Sequence, residues 1–266
     1  MEVQSQINEN TVISPQERQE FDEFKRQKRV AEARAIISRI ELSFTAPSAD
    51  RATLRRLLKD GEKAGLGGVC VTPYLVKPCS DFLGTASAMS VAAAISAWGG
   101  SDTTDIKVRQ VKRAIRDGAD AVEVAAPLSA VKEGSWGYVK REFKKLKSAA
   151  KRATLRINLE APLLTSQELT KLCSLAVECG IACLRTAGDA FGSGADEEDL
   201  KLIKAAVKDR ALIKADGADT PGRMATLLEL GAGIIGSAAA VPVAQAVLAA
   251  AEKEAAGKQV AVKQVA

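Results

Sequence analysis

The chain has 266 residues, 47% hydrophobic and 27% charged, with 38 Lys and Arg against 33 Asp and Glu for a net charge of +5. It contains no histidine, which excludes imidazole acid–base chemistry, Ser-His-Asp and Cys-His catalysis, and HExxH zinc sites. The mild positive charge is spread along the chain and only 4% of residues are aromatic, so neither nucleic acid nor a membrane is an expected partner.

Residues 1–16 are polar, are expected to fray, and carry no charged-then-apolar leader pattern. The odd number of cysteines, five, reads as free thiols in a reducing compartment, and the expected setting is the cytoplasm. No run approaches the ~20 apolar residues that span a bilayer. From Gln16 to Ser38 the sequence predicts a charged helix with Phe21, Phe24, Val30 and Ala33 as its apolar stripe, begun by Ser14-Pro15. Two roles are open for it, packing on a domain or docking a partner.

Thereafter short apolar runs alternate with amphipathic stretches. The runs are Ile40–Phe44, Gly68–Val71, Val91–Ala97, Ala121–Ala125, Leu155–Leu159, Ala182–Thr186, Ala211–Lys214 and Gly233–Ile235. Strands apolar throughout and separated by helical stretches of ~10–15 residues indicate βαβ units and a parallel sheet covered on both faces. Gly118, Gly180 and Gly231 close three of the helices ahead of the next strand. Eight such units in roughly 215 residues favour a (β/α)8 TIM barrel with an extra N-terminal helix over an open doubly wound sheet. Neither GxGxxG after the first strand nor GxxxxGK[ST] occurs, so nucleotide-binding alternatives lack their phosphate loops. The expected organisation is an N-terminal extension over 1–39, the barrel over 40–253 and a flexible tail over 254–266.

In such a barrel the chemistry lies at the C-terminal ends of the strands. Those positions hold Glu41 and Ser43, Cys70 and Thr72, Trp98, Glu123, Asn158 and Glu160, Arg185 and Thr186, Lys214, and Gly236-Ser237. Charges ending apolar strands must pair with each other or face a wet pocket. Two readings are open: a site that combines a lysine with carboxylates, or structural ion pairs such as Glu123–Arg185 and Glu160–Lys214. Cys70, Cys79, Cys173, Cys179 and Cys183 lack CxxC spacing, and without histidine no metal site is expected. Cys173, Cys179 and Cys183 read as small core residues.

Several of these segments resemble one family. Val69-Cys70-Val71-Thr72-Pro73 resembles its VCVNP segment, Gly118 to Val124 its GADEIDMV, and Leu155 to Leu164 its LKVIxExxxL. Cys183-Leu184-Arg185-Thr186 falls at F-[IV]-K-T, Ile213 to Gly217 resembles VKASGG, and Gly231 to Ser237 resembles GAxRIGTS. In order and spacing these segments, from about Ile40 to Val247, resemble the deoxyribose-phosphate aldolase family of class I aldolases. The resemblance implies the barrel and a Schiff-base lysine on the sixth strand. It also implies a second lysine on the seventh strand that lowers the first one's pKa, and a proton-shuttling aspartate on the fourth. No cofactor is implied. Carried over, the second lysine is Lys214, the strand-two cysteine is Cys70, the aspartate becomes Glu123, and the Schiff-base lysine becomes Arg185. Thr72, Thr186, Gly217, Gly236 and Ser237 fall at substrate-binding positions.

A guanidinium stays protonated and forms no stable imine, so the change at Arg185 removes the covalent pathway. Asp-His-Thr on the first strand reads Glu41-Leu42-Ser43, and the phosphate-gripping GGIR reads Gly217-Ala218-Asp219-Thr220. The serines expected after Gly236 read Ser237-Ala238-Ala239-Ala240, and Asp189 enters the loop after the sixth strand. Added carboxylates and lost donors weaken the grip on a phosphate dianion. Three readings follow: a divergent member without ordinary aldolase activity, kept for binding or scaffolding; an aldolase acting on deoxyribose 5-phosphate or a related aldehyde, with Lys214 as nucleophile and Arg185 as the neighbouring cation; or an ordinary aldolase. Candidate partners are a small phosphorylated sugar or aldehyde, a protein docking on the N-terminal helix or on the basic helix at 140–152, and a second copy in a homodimer.

Overall fold

The structure is a computed structural model that describes residues 14–97, 99–188 and 194–263, with side chains described through 253. Most of residues 1–16, and Trp98 and Asp189, singled out above, therefore lie outside the described residues. Eight parallel strands close into a barrel in the order β1 to β8, each paired with its sequence neighbours and β8 with β1. The strands are β1 (Ile40–Phe44), β2 (Gly68–Val71), β3 (Ser90–Ile95), β4 (Ala121–Ala125), β5 (Thr154–Asn158), β6 (Cys183–Arg185), β7 (Leu212–Asp216) and β8 (Ile234–Ser237). The expected (β/α)8 barrel is the observed one.

Helices return the chain from the end of each strand to the start of the next. They include α2 (Arg51–Ala64), α3 (Pro73–Leu83), α4 (Thr104–Arg116), α5 (Leu128–Lys132), α6 (Trp136–Ala150), α7 (Ser166–Glu178), α8 (Glu197–Val207) and α9 (Pro221–Glu229). Gly118, Gly180 and Gly231 adopt left-handed φ values of 102°, 71° and 100° where the helices end, a conformation glycine takes without a Cβ penalty. Helix α7 starts with a capping box. Thr165 accepts from the Glu168 backbone N–H, and the Glu168 carboxylate accepts from the Thr165 backbone N–H.

Strand limits depart from the apolar runs by a residue or two. β3 ends at Ile95 because Ser96 takes a positive φ of 53°, which breaks extended pairing. β7 runs two residues past Lys214 to Asp216, whose Cα pairs with Gly236. The barrel wall is apolar outward and mixed inward. Ile40, Leu42, Val69, Val71, Val122, Val124, Leu155, Ile157, Leu184 and Ile213 are buried, while the alternate residues carry the polar groups described below. Cys70, Ala92, Ala94 and Ala121 form a cluster of small buried side chains on the β2–β4 side. Their small volume leaves room for the long charged side chains that β5, β6 and β7 contribute.

The chain divides into two compact units, Ile36–Ala246 with the barrel, and Met1–Ala35 with Val247–Ala266. The first helix, α1, spans Pro15–Ile37, and the last, α10, runs Ala240–Lys263, beyond the expected boundary at residue 253. In α1 Ala33 and Ile37 are buried, but Phe21 and Phe24 are 52% and 62% exposed. The expected stripe is therefore buried only in its C-terminal part.

Candidate active site

Period-2 alternation in the strands decides which side chains meet inside the barrel. Glu41 and Ser43, Glu123, Arg156 and Asn158, Arg185, and Lys214 and Asp216 alternate with the apolar wall residues, and all are buried. The register places Arg185 opposite Asn158 on one side and Lys214 on the other, so three consecutive strands deliver three cations.

Three carboxylates meet them. Lys214 Nζ donates to Glu41 Oε2 at 2.8 Å and to Glu123 Oε1 at 2.7 Å. Arg156 donates to both oxygens of Glu41 at 2.7 Å each and to Glu123 Oε1 at 2.9 Å. Arg185 makes a bidentate pair with Asp216, Nε to Oδ2 at 2.7 Å and Nη2 to Oδ1 at 2.9 Å, and its Nη1 lies 3.1 Å from Glu123 Oε2. Ser43 Oγ donates to Asp216 Oδ1 at 3.1 Å, and Cys70 Sγ to Glu123 Oε2 at 3.2 Å. Formal charge balances, three against three. Each charged group therefore has an opposite charge beside it, although Arg156 Nε has no hydrogen-bond partner among the described residues. Asp216 packs against Gly236: a Cβ there would come within 2.0 Å of Asp216 Oδ1, so the glycine is what admits this carboxylate.

The protonation of the network follows from its geometry. Burial works to lower the Lys214 pKa, but the Glu123, Glu41 and Asp216 carboxylates outweigh it and hold the amine above the ordinary lysine range. Burial likewise works to raise Glu41 and Glu123, and the facing cations, Lys214 foremost, hold both below the ordinary carboxylate range. Arg185 is pushed further up by Asp216 and Glu123 against the effect of burial. Burial and the Glu123 carboxylate push the Cys70 thiol well up, so it is not a thiolate. The arrangement stores fixed, compensated charge. Its one amine carries its proton at neutral pH and is fully buried.

Of the residues expected from the sequence, Lys214, Glu123, Arg185 and Cys70 come together around one carboxylate, Glu123. The Glu123–Arg185 pair forms, whereas Glu160–Lys214 does not. Glu160, at a positive φ of 50°, instead accepts from the Asn158 amide at 2.8 Å and from the Gly188 N–H at 2.9 Å, tying β5 to the loop after β6. Thr186 is buried at the end of β6, and its Oγ1 has no hydrogen-bond partner among the described residues. Thr72 is the N-cap of α3 without a side-chain capping bond. Gly217 lies exposed after β7 with φ 83°. Ser237 Oγ donates to Asp219 Oδ1 at 2.7 Å, and the same oxygen accepts from the Ala239 N–H at 3.3 Å. Asp219 thus occupies donors at the start of α10. Beside it, a groove at the mouth is lined by Asp196, Glu197, Glu198, Asp199, Asp219 and Arg223, an acidic rim.

Sequence reading missed Arg156 and Asp216 as members of the network. The signal was present: Arg156 alternates with Leu155 and Ile157, and Asp216 stands two residues after Lys214. Among the described residues no cluster of metal-ligating side chains occurs.

A closed parallel barrel with lysine, arginine and carboxylates at its strand ends defines a class, the aldolase-type (β/α)8 barrels, and the comparisons agree. The sequence pattern described as DeoC/LacD family aldolase matches residues 40–171. Deoxyribose-phosphate aldolase 1 of Cutibacterium acnes is 31% identical over 208 residues, covering 78% of this chain and 95% of that protein. Deoxyribose-phosphate aldolase of Thermococcus gammatolerans is 30% identical over 214 residues, covering 79% and 95%. Among solved structures, the aldolase QR15 superposes with a TM-score of 0.76 at 27% identity, covering 80% of this chain and 96% of that one. Deoxyribose phosphate aldolase from Aeropyrum pernix, at 21% identity and a TM-score of 0.72 over 84% and 95%, shares the fold. The chain belongs to the deoxyribose-phosphate aldolase family.

Proposed function

We propose that this chain is a divergent family member without ordinary aldolase activity, its barrel retained for a binding or scaffolding role. The observation that carries this reading is the state of the two positions where the family's chemistry needs amines. One is Arg185, which cannot form an imine and is clamped by Asp216 and Glu123. The other is Lys214, buried and held protonated by Glu41 and Glu123. A protonated amine has no lone pair to attack a carbonyl. Asp219 supports the same reading, because a carboxylate that already takes the Ser237 hydroxyl and the Ala239 N–H competes with a substrate phosphate for them.

A second reading keeps Lys214 as the nucleophile of an aldolase acting on deoxyribose 5-phosphate or a related aldehyde. The family's lysine on the seventh strand and the names of the relatives favour it. It requires the neighbouring Arg185 to depress the Lys214 pKa, and the carboxylates that contact Lys214 act in the opposite direction.

One experiment separates the two. The full chain is incubated with deoxyribose 5-phosphate or with acetaldehyde, reduced with borohydride and mapped by mass spectrometry. The expected result is no lysine adduct and no retro-aldol product. A stable adduct on Lys214 would replace the first reading with the second.

A further inference from the structure

We propose that a groove between the C-terminal halves of α4 and α6 is a docking site for an acidic segment of another protein, one that carries an aliphatic or aromatic side chain among its carboxylates. Arg109, Lys112 and Arg116 from α4 and Lys151 and Arg152 after α6 line a groove of about 500 Å³. Its floor is apolar, made by Ile115 with two alanines of α6. Both helices run back toward the starts of the next strands, so the groove lies at the barrel end opposite the candidate active site. The inference is therefore independent of whether that site is catalytic.

What singles the groove out is that five uncompensated cations surround one apolar floor. No ion pair or hydrogen bond engages the side chains of these five cations among the described residues, whereas some neighbours on the same helices have theirs. Arg113 pairs with Asp117 at 2.7 Å, Lys145 lies 3.3 Å from Asp105, and Lys140 pairs with Glu178. The five equal in number the excess positive charge of the whole chain, +5. On α4, Arg109, Lys112 and Arg116 stand at i, i+3 and i+7, one face of the helix, where like charges repel. Cations in the last turn of a helix offset its dipole, which accounts for Arg116. Arg109 and Lys112 lie beyond that reach.

The chemistry of the lining selects the occupant. Carboxylates match the cations, and a side chain seated on Ile115 uses the floor that a simple anion would leave empty. A nucleic acid would call for a longer basic track and aromatic surfaces for its bases, whereas here the cations surround an aliphatic floor. The volume suits a short peptide segment.

The test titrates the full chain with a short fluorescein-labelled peptide of glutamates bearing two leucines one helical turn apart, followed by anisotropy. Saturable binding is expected, weakened about tenfold or more by Lys112→Glu with Arg116→Glu, weakened by Ile115→Ser, and unchanged by Lys28→Glu with Arg29→Glu on α1. Thermal melts of the variants verify that the substitutions leave the fold intact. Absence of saturable binding would overturn the proposal, as would indifference to the Lys112/Arg116 reversal. Equal binding of an all-glutamate peptide or of single-stranded DNA would also overturn it, since the groove would then be an undiscriminating polyanion surface.

Discussion

At the scale of single residues, Glu123 is the hub. It accepts from Lys214 and Arg156 through one oxygen and faces Arg185 and the Cys70 thiol with the other. Removing its charge leaves three buried cations sharing two carboxylates, and breaking a buried pair typically costs about 3–5 kcal/mol. Glu123→Gln is accordingly expected to lose stability of that order in urea unfolding; a loss below about 1 kcal/mol would show the network to be electrostatically slack. Arg185 and Asp216 belong together in the same way. Restoring a lysine alone, Arg185→Lys, puts the introduced amine between Glu123 and Asp216, where it stays protonated and forms no imine. Adding Asp216→Ser removes one of the two carboxylates and returns the residue the family pattern has there. Borohydride trapping is expected to stay silent in the single variant and to appear in the double. Trapping in the single variant would show that Asp216 does not control that amine.

At the scale of elements, the helices and strands obey local rules that can be checked one by one. The capping box of α7 depends on Thr165, so Thr165→Ala is expected to destabilise the protein by about 1 kcal/mol in urea unfolding. An unchanged midpoint would mean that packing alone sets the start of the helix. These elements were largely legible in sequence. The apolar runs located all eight strands, and Gly118, Gly180 and Gly231 marked helix ends correctly because left-handed φ is a local property. The strand limits were less so, since they depend on pairing with a neighbour: β7 continues to Asp216 because Gly236 on β8 stands opposite. In α1 the pattern put Phe21 and Phe24 on an apolar stripe, yet both are exposed, since a spacing of side chains does not say whether anything covers them.

At the scale of the whole molecule, the buried network couples stability to pH. Glu41 and Glu123 have folded pKa values below their unfolded values of about 4.3, so their contribution is present above that pH and is lost as pH falls toward the lowered values. Lys214 has a raised folded value, so its contribution is complete below about pH 10.4 and is lost only as pH rises through the folded value. The urea midpoint is expected to stay level from about pH 6 to 9 and to fall steeply below about pH 4.5. A midpoint that rises on acidification would contradict the ionised network.

The sequence by itself determined the barrel, because period-2 and helical patterning, turn glycines and unit length are local quantities summed along the chain. It also determined that no histidine chemistry operates, and its resemblance to the family led to the expectation that Arg185 stands where the family has its lysine. Only the tertiary structure decided how the charges combine. Glu41 and Lys214 are 173 residues apart in sequence, and no spacing rule relates β1 to β7 until the barrel closes and sets them across one interior. The same closure left the candidate Glu160–Lys214 pair unformed. Three cations and three carboxylates in one buried space have few ways to pair. The register of β5, β6 and β7 gave Lys214 to Glu41 and Glu123, Arg185 to Asp216 and Glu123, and Glu160 to the loop beyond.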